Sequence, residues 1–382
     1  MPTSATIATA SAHCIGPEPE AIADTPLIKP PRGPQLSGLD NTVLSDVSDC
    51  TALPVGTCCT GDGTGALSRE NARARERTRE TRVVQPLPNV EKVPRPFSHE
   101  QWARRGANVK LLDAKETEAK VGTKAYAGSL LDLRAGTIQP LAYVRGLAHA
   151  AITAGATVFT GSPVIGAEEK NGKWVVKTAK GSVTANWVVV ATNAYTNAPW
   201  PEVRAELVHL PYFNMATKPL SDNIKRSILP ERQGVWDTKE VLSSFRFDQQ
   251  GRLVFGSVGA LRNTGAAVHK AWAKKSLKRL FPQIGEVEFE AEWYGKIGMT
   301  NDSLPKFHRL ARNVVGFSGY NGRGIAPGTV FGKLLSQLVS GEINEDDLPL
   351  PVSDPKEQNF RGLREAYYEA GAQVAHVAEI VI

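Results

Sequence analysis

Three glycines, Gly319, Gly322 and Gly324, form the part of this sequence best suited to binding a ligand. Glycine lets a ligand approach the backbone closely because it has no side chain. The helix pattern that follows would direct N–H groups, equivalent to about half a positive charge, at the same place. The spacing therefore predicts an anion-binding loop, and a tight turn that binds nothing is the alternative.

A strand and a helix must hold this loop. Val314, Val315 and Phe317 form a short apolar run that predicts a buried strand before it. Pro327 suits the first turn of the helix, where its missing N–H leaves no hydrogen bond unmade, and Gly341 suits the end of the helix. The apolar residues of the helix fall on one face: Val330, Phe331, Leu334, Leu335, Leu338 and Val339.

The composition is that of an ordinary globular protein, with 41% hydrophobic residues and 34 glycines among 382 residues. One large domain or two interleaved domains are expected. No stretch approaches the ~20 apolar residues of a membrane span, and the N-terminus lacks the pattern of a secretory signal. The net charge of +6 is spread over the whole chain, so it gives no reason to expect nucleic-acid binding.

The four cysteines, Cys14, Cys50, Cys58 and Cys59, all precede residue 60. Disulfides among them could not cross-link the rest of the protein, and their spacing matches no zinc motif. We therefore expect no metal site, and a reducing, cytoplasmic location.

Residues 1–100 differ from the rest of the sequence. They are rich in Pro, Ser, Thr, Ala and Arg and show no sustained hydrophobic period. Gly56–Ser68 contains several glycines but not the G-x-G-x-x-G spacing of a dinucleotide-binding loop, so it is a weak candidate for a phosphate site. Asp113 follows a short strand pattern as a ribose-binding acid would, but the fingerprint expected ~20 residues before it is missing.

From about residue 120 the hydrophobic pattern becomes regular. Pro140 begins an amphipathic helix whose predicted core face is Leu141, Val144, Leu147, Ala148 and Ala151. Lys173–Ala185 predicts a β-hairpin that turns at Lys180–Gly181. Trp187–Ala191 is too apolar for a half-exposed strand and predicts a buried parallel one. Thr192 and Asn193 follow it, where ligands bind in α/β sheets.

Longer, alternating strand patterns take over between residues 199 and 290. Leu207–Met215 and Val287–Trp293 alternate, and Phe245–Gly256 predicts a hairpin. Patterns of parallel strands stand on both sides of this region. The sequence therefore predicts an α/β fold with an antiparallel α+β insertion, in which the glycine loop completes a sheet that begins earlier in the chain.

Five blocks of sequence, in the same order, resemble the D-amino-acid oxidase (DAO) superfamily of FAD-dependent oxidoreductases, and most closely its gamma-glutamylputrescine oxidase and glycine oxidase subgroups. The blocks are Lys120–Ala151, Val188–Thr196, Phe245–Gly256, Trp293–Phe307 and Gly319–Gly324. The resemblance implies an FAD/NAD(P)-binding-like domain and an antiparallel-sheet substrate domain. The glycine loop would then lie beside the flavin ring, where helix N–H groups stabilise the negative charge that hydride transfer leaves.

The resemblance also implies which residues bind a non-covalent FAD. They are Val164, Ala191, Thr192, Asn193, Gly319, Asn321, Gly322, Arg323 and Gly324. Arg323 either adds positive charge beside the flavin or is a solvated arginine, and both interpretations stay open. No cysteine lies near Met299–Thr300, where sarcosine oxidase attaches its FAD, so no covalent bond to FAD is expected.

Two departures from the family pattern bear on function. Ile297 stands where glycine oxidase has the arginine that pairs with the substrate carboxylate, which favours an amine over a simple α-amino acid. The opening strand, G-x-G-x-x-G loop and helix are missing from residues 1–100. We hypothesise that this range is a frameshifted version of the missing module, because its composition is typical of a GC-rich gene read in the wrong frame. Another frame of the gene would then encode the fingerprint.

The resemblance predicts four domain ranges and an activity. The ranges are an atypical, disordered or frameshifted N-terminal segment at 1–100, an FAD-binding-like domain at 101–198 and 291–345 that is incomplete at its N-terminus, a substrate domain at 199–290, and a C-terminal tail at 346–382. The expected activity is oxidation of the C–N bond of a small-molecule amine, by hydride transfer to the flavin with oxygen as acceptor.

Arg246, Trp293 and Tyr320 are the candidate catalytic residues that this resemblance implies, and His209 is a further candidate for the substrate pocket. A non-catalytic remnant of such an oxidase, without tight FAD binding, is the alternative. An NAD(P)-dependent dehydrogenase is disfavoured because no dinucleotide fingerprint is present.

Overall fold

A computed structural model describes residues 6–9, 43–45, 83–87 and 97–381 of the chain. The predictions made for the four cysteines and for Gly56–Ser68 lie outside these residues. Most of the range assigned to a frameshift lies outside them as well.

Short strands and helices alternate along the described chain. The strands are β1 (Thr6–Thr9), β2 (Val43–Ser45), β3 (Val83–Leu87), β4 (Val109–Asp113), β5 (Gly128–Asp132), β6 (Thr157–Val158), β7 (Val164–Lys170), β8 (Lys173–Thr178), β9 (Gly181–Ala185), β10 (Trp187–Val190), β11 (Val208–Thr217), β12 (Gly234–Trp236), β13 (Ser243–Phe247), β14 (Leu253–Val258), β15 (Phe289–Met299), β16 (Lys306–Ala311), β17 (Val314–Ser318) and β18 (Val352–Ser353). The helices are α1 (Phe97–Arg104), α2 (Ala114–Val121), α3 (Pro140–Thr153), α4 (Pro201–Glu206), α5 (Asp222–Ser227), α6 (Asn263–Leu280), α7 (Ile325–Ser340) and α8 (Arg361–Val381).

The chain forms two compact units, of which the first comprises Met1–Cys50, Val144–His209 and Lys296–Arg361. Its main sheet has the strand order β18-β16-β17-β10-β1-β2-β6. The strands from β17 to β6 in this order are parallel neighbours. Their carboxyl ends therefore lie along one edge of the sheet, which is where α/β proteins bind ligands.

Both faces of this parallel sheet are covered, which explains its unbroken apolar strands. Val188 and Val190 pack on one face with the three-stranded antiparallel sheet β7-β8-β9. Val189 and Val315 pack on the other face with Phe331 of α7. The predicted buried parallel strand at Trp187–Ala191 is confirmed.

The second unit comprises Thr51–Tyr143, Leu210–Gly295 and Gly362–Ile382. Its sheet has the order β15-β11-β14-β13-β12-β3-β5-β4. Phe213, Phe245 and Phe255 project from one face of this sheet into an apolar core that also contains Trp272 of α6. The mixed α/β fold with antiparallel sheets is the class that the sequence predicts.

Several local predictions are confirmed. The hairpin β8-β9 pairs Thr178 with Gly181, so it turns one residue earlier than predicted. The hairpin β13-β14 pairs Phe247 with Leu253. Helix α7 ends at Gly341, whose φ of 77° is the left-handed conformation that glycine adopts without strain.

Other predictions need correction. The predicted core face of α3 is only partly buried: Leu141 is 59% exposed and Leu147 is 42% exposed, and only Val144 is fully buried. Periodicity predicts which residues share a helix face but not what covers that face. The strand predicted to end at Trp293 continues to Met299, so β15 contains Ile297.

No strand of the expected module is predicted from the sequence of residues 1–100, whereas the structure has β1, β2 and β3 there. These segments are short and lack the continuous apolar run from which β10 and β17 are predicted. The compact units also differ from the predicted ranges. Residues 101–143, 291–295 and 362–382 belong to the second unit, and residues 199–209 belong to the first. The assignment of FAD-binding and substrate roles to those ranges stays a prediction.

Asp113 has a local structural role. Its Oδ1 accepts a hydrogen bond from the Glu116 backbone N–H at 2.7 Å, and the Glu116 side chain accepts from the Asp113 N–H. This capping box begins α2. Asp113 is therefore a helix cap.

No helix in the described part of the chain is long and apolar enough to cross a membrane. The described residues also contain no cluster of three or more His, Cys, Asp or Glu side chains that could hold a metal ion.

Candidate functional site

The carboxyl ends of β10 and β17 are tied together by a side chain. Asn193 follows β10, and its Oδ1 accepts a hydrogen bond from the backbone N–H of Gly319 at 2.9 Å. Gly319 directly follows β17. Both residues have positive φ, 43° for Asn193 and 74° for Gly319, a conformation that Asn and Gly tolerate better than other residues. The predicted ligand position after β10 and the glycine loop therefore form one structure.

The short 3-10 turn Asn193–Tyr195 is held at each of its residues. Asn193 accepts the bond from Gly319 described above. The carbonyl of Ala194 accepts a hydrogen bond from Nε2 of His209 at 2.6 Å. The hydroxyl of Tyr195 accepts from the backbone N–H of Lys296 at 2.9 Å. Arg204 donates to Nδ1 of His209 at 2.9 Å. Both ring nitrogens of His209 are thus engaged, and this predicted pocket residue serves as a positioning residue.

Asn321 holds the glycine loop from within. Its Oδ1 accepts from the Thr300 N–H at 2.8 Å, and its Nδ2 donates to Thr300 Oγ1 at 3.0 Å and to the Gly319 carbonyl. Its backbone N–H donates to the Gly298 carbonyl at 3.2 Å. Because the side-chain amide and the backbone N–H are both used inside the protein, Asn321 shapes the loop and does not offer these groups to a ligand.

The glycines of the loop are required by close neighbours. A Cβ on Gly319 would lie 2.4 Å from Cγ2 of Thr300, much closer than carbon atoms pack. A Cβ on Gly322, whose φ is 76°, would lie 3.3 Å from Cδ1 of Ile297. Ile297 therefore packs against the loop and gives this position an apolar surface.

Two groups at the same edge of the sheet fit the polar edge of a flavin ring. Helix α7 starts after Gly324 with no side-chain cap, so its first N–H groups have no partner within the helix. Ser318, the last residue of β17, is 2% exposed, and its Oγ has no hydrogen-bond partner among the described residues. Backbone donors and an unsatisfied hydroxyl are suited to a cofactor with polar ring atoms.

The structure brings five of the predicted cofactor residues together: Asn193, Gly319, Asn321, Gly322 and Gly324. Ala191 is exposed at the end of β10, and the Thr192 hydroxyl is hydrogen-bonded to that of Thr196 at 2.5 Å. Val164 begins β7 and packs on the apolar cluster of Val188 and Val190.

The remaining candidates have other surroundings. Arg323 is exposed, and its Nη2 donates to the carbonyl of Ser303 at 3.3 Å, which favours the solvated interpretation. Close by, a hydrogen bond from Lys306 lowers the pKa of Asp302. Tyr320 stacks on Phe331 with the ring centres 6.1 Å apart. Arg246 and Trp293 belong to the second compact unit.

Three further residues, Thr300, Gly298 and Ser318, belong to this site and are not predicted from the sequence. Thr300 and Gly298 act through pairings with the loop that no local pattern reveals. Ser318 did carry a signal, because it is a polar residue that ends a strand of otherwise apolar residues.

Asn193→Ala is expected to lower the free energy of unfolding by about 1–3 kcal/mol, because the Gly319 N–H loses its acceptor and alanine is strained at a positive φ. Urea unfolding measures this loss. Asn193→Asp keeps an acceptor oxygen and tolerates the same φ, so it should retain most of the stability. Equal losses in both variants would show that the hydrogen bond does not hold the loop.

A parallel sheet that ends in a glycine loop and an uncapped helix, in a chain with a separate antiparallel sheet, is the arrangement expected of a two-domain flavoprotein oxidoreductase. The chain belongs to the FAD dependent oxidoreductase (DAO) family, which matches residues 68–338. This confirms the family predicted from the five sequence blocks.

Curated relatives match part of the chain. The Probable oxidoreductase OrdL of Haemophilus influenzae is 32% identical over 240 residues, which are 62% of this chain and 54% of the relative. The Gamma-glutamylputrescine oxidoreductase of Escherichia coli is 30% identical over 286 residues, which are 70% of this chain and 65% of the relative. The chain thus spans about half to two thirds of the length of these relatives.

Solved structures share the fold. Glycine oxidase from Geobacillus kaustophilus aligns with a TM-score of 0.58 at 20% identity, covering 73% of this chain and 77% of that structure. L-proline dehydrogenase from P. horikoshii aligns with a TM-score of 0.63 at 18% identity, covering 81% of this chain and 89% of that structure.

Proposed function

We propose that the protein is an FAD-dependent oxidoreductase that oxidises the C–N bond of an amine, such as a gamma-glutamylputrescine-like amine or another amine or amino acid. Oxygen is the proposed electron acceptor, and the cytoplasm is the proposed location. The observation that carries this proposal is the loop Gly319–Gly324, which is fixed by Asn193 and Asn321 at the start of the uncapped helix α7.

Each part of the site has a proposed task. FAD, when bound, supplies the acceptor for a hydride from the amine. The first N–H groups of α7 would stabilise negative charge that develops on the ring edge facing them. Asn193 and Asn321 keep the loop in place without reorganisation during the reaction. Ile297 offers no charge beside the loop, which suits an amine better than a simple α-amino acid.

The purified protein tests the proposal directly. Absorbance in the blue band of flavins, or its appearance after incubation with FAD, is expected. A panel of amines assayed for hydrogen peroxide should then identify substrates. Protein that FAD cannot reconstitute, and that oxidises no amine in the panel, would contradict the proposed function.

The FAD is expected to be non-covalent. Thr300, which follows Met299, has a hydroxyl where a covalent attachment would need a thiol. This hydroxyl donates to the carbonyl of Leu304 at 2.9 Å. Acid precipitation should therefore release all of the yellow colour into the supernatant. Flavin that remains with the precipitated protein would show a covalent bond.

The second candidate function is a non-catalytic remnant of such an oxidase. It is favoured by one observation, the lack of a G-x-G-x-x-G sequence in residues 1–100. Loss of the pyrophosphate contacts would remove several charge-assisted hydrogen bonds, each worth about 1.5–3 kcal/mol. Colourless protein with an FAD affinity too weak to measure supports this candidate, and an intact fingerprint in another frame of the gene supports a sequence error.

A further inference from the structure

The exposed side of helix α8 is apolar along the whole helix. Its exposed residues are Gly362, Leu363, Ala366, Tyr367, Ala370, Val374, Val377, Ala378 and Val381. Each charged residue of the helix is at least partly buried instead. Single apolar residues are common on protein surfaces, whereas a continuous row of them is typical of a binding surface.

The opposite side of α8 is held by α6. Ala372 and His376 are buried there. Nδ1 of His376 lies 2.8 Å from Nδ1 of His269, and Nε of Arg262 donates to Glu369 at 2.8 Å. Because α8 is anchored on this side, its apolar side is an ordered surface that faces outward.

The spacing of the exposed residues is that of a coiled coil. We call six of them the α8 seam: Tyr367, Val374 and Val381 at the a positions of a heptad repeat, and Leu363, Ala370 and Val377 at its d positions. A repeat of 3.5 residues keeps such a seam against a partner helix with the same repeat. The α8 seam therefore indicates pairing with a second helix, and a second copy of this chain supplies a helix with that repeat.

The size of the α8 seam suits a dimer. Its five large side chains are between 43% and 81% exposed. The helix has 21 residues and is about 30 Å long. Pairing of two such helices, with the alanines beside the seam, would bury on the order of 1,200 Å² in total, which is enough for a specific protein interface.

The charge of α8 does not suit a membrane surface. Helices that lie on membranes carry an excess of Lys and Arg on their polar face. The charged residues of α8 are Arg361, Arg364, Glu365, Glu369 and Glu379, so acidic residues outnumber basic ones. A second protein helix is therefore a better partner than a lipid surface.

We propose that the protein forms a homodimer in which the α8 seams of two copies pack antiparallel about a two-fold axis. In antiparallel coiled coils each a residue lies opposite a d residue. Tyr367 would then lie opposite Val377 of the second copy, and Val374 opposite Ala370. Large and small residues thus share each layer, as close packing requires. A parallel pair would instead place two tyrosines in one layer and two alanines in the next.

Size-exclusion chromatography with light scattering, over a dilution series of the purified protein, tests the dimer. Wild-type protein is expected at twice the mass of one chain. Tyr367→Glu with Val377→Glu should raise the dissociation constant of the dimer by about a hundredfold or more, because like charges then face each other across the interface. Both side chains are exposed in one copy, so the circular dichroism spectrum should not change.

Tyr367→Lys with Val377→Glu tests the antiparallel arrangement. Each introduced lysine then faces an introduced glutamate of the other copy, so the dimer should persist within about tenfold of the wild-type dissociation constant. Like charges would meet in a parallel pair, and the same variant would be monomeric. Loss of the dimer through misfolding would affect this variant and the double-glutamate variant alike.

Leu141→Glu with Leu147→Glu is the matched control. It places two glutamates at exposed leucines of another helix, α3, and should leave the dimer intact. Wild-type protein that is monomeric at every concentration would overturn the proposal and leave the apolar side of α8 to another molecule or another part of the chain. A dimer that survives both glutamates on α8 would also overturn it. A monomeric Tyr367→Lys with Val377→Glu variant would overturn the antiparallel packing. These results do not depend on FAD or on oxidase activity.

Discussion

Gly319→Ala is expected to lower the free energy of unfolding by roughly 2–4 kcal/mol and to weaken FAD binding. Alanine at a φ of 74° is strained by about 1–2 kcal/mol. Its Cβ would also meet Cγ2 of Thr300 at 2.4 Å, and overpacking of this kind costs about 1–3 kcal/mol. The loop must shift to relieve the contact, and that shift breaks the bond from the Gly319 N–H to Asn193. Urea unfolding and an FAD titration measure the two effects.

A second substitution separates the two causes. Thr300→Ser removes Cγ2 but keeps the hydroxyl that bonds to Leu304 and Asn321. The double variant Gly319→Ala with Thr300→Ser should therefore recover the part of the loss due to overpacking, about 1–3 kcal/mol, and keep the part due to φ. Gly322→Ala, whose neighbour is a flexible Ile297 methyl at 3.3 Å, should lose less than Gly319→Ala. Wild-type stability in Gly319→Ala, or no recovery in the double variant, would contradict this account.

The strand, loop and helix around Gly319 could be predicted because their signals are local. The apolar run of β17, the proline in the first turn of α7 and the glycine at its end each act within a few residues. Asp113 shows that one local signal was overlooked. Asp113 and Glu116 have the spacing of a capping box, and this alone predicts a helix start.

The contacts that fix the loop could not be predicted, because they join distant parts of the chain. Asn193 and the Gly319 N–H are separated by 126 residues, and the bond between His209 and the Ala194 carbonyl depends on where β11 begins. Such contacts follow from which strands are neighbours and in which register. A single sequence predicts that β10 and β17 are buried strands but does not predict their pairing.

Arg246 illustrates the same limit for the candidate site. Two carboxylates, Asp237 and Asp248, stand near Arg246 in the sequence. The structure shows that Arg252 and Ser243 engage those carboxylates instead. The surroundings of Arg246 are thus a property of the assembled sheet, in which burial lowers the pKa of its guanidinium and the nearby Asp248 raises it.

A buried pair of histidines is expected to make the second unit sensitive to mild acid. Nδ1 of His269 on α6 and Nδ1 of His376 on α8 are 2.8 Å apart, so one must donate and the other accept. Nε2 of His376 lies 3.3 Å from Oγ of Ser257, which donates its own proton to the Leu242 carbonyl. His376 therefore carries its proton on Nε2, and His269 donates through Nδ1. Nε2 of His269, which has no hydrogen-bond partner among the described residues, then carries a lone pair and no proton.

Protonation of His376 at Nδ1 would place two N–H groups against each other, and protonation of His269 at Nε2 would bury an N–H that has no partner among the described residues, so the folded state resists both. Burial is the main cause that lowers the pKa of His269 to about 4 and of His376 to about 3. Above the unfolded pKa of about 6.5 both states are neutral, and stability is fully present. As pH falls from 6.5 towards 4, the unfolded chain binds protons that the folded unit does not, so the free energy of unfolding decreases. His269 alone should contribute a loss of about 3 kcal/mol, at about 1.36 kcal/mol per pH unit.

Urea unfolding between pH 7.5 and 4.5 measures this loss, and the variant His269→Leu with His376→Leu is its control. Replacing both partners by apolar groups leaves no donor or acceptor of the pair unsatisfied, so the variant should fold and lose the steep pH dependence. Glu369, Glu379 and Lys239 face the pair and remain in both proteins, so their titration cancels in the comparison. Parallel stability curves for the two proteins would contradict the prediction. A difference confined to pH below 6.5 would assign the acid sensitivity to the contact between α6 and α8.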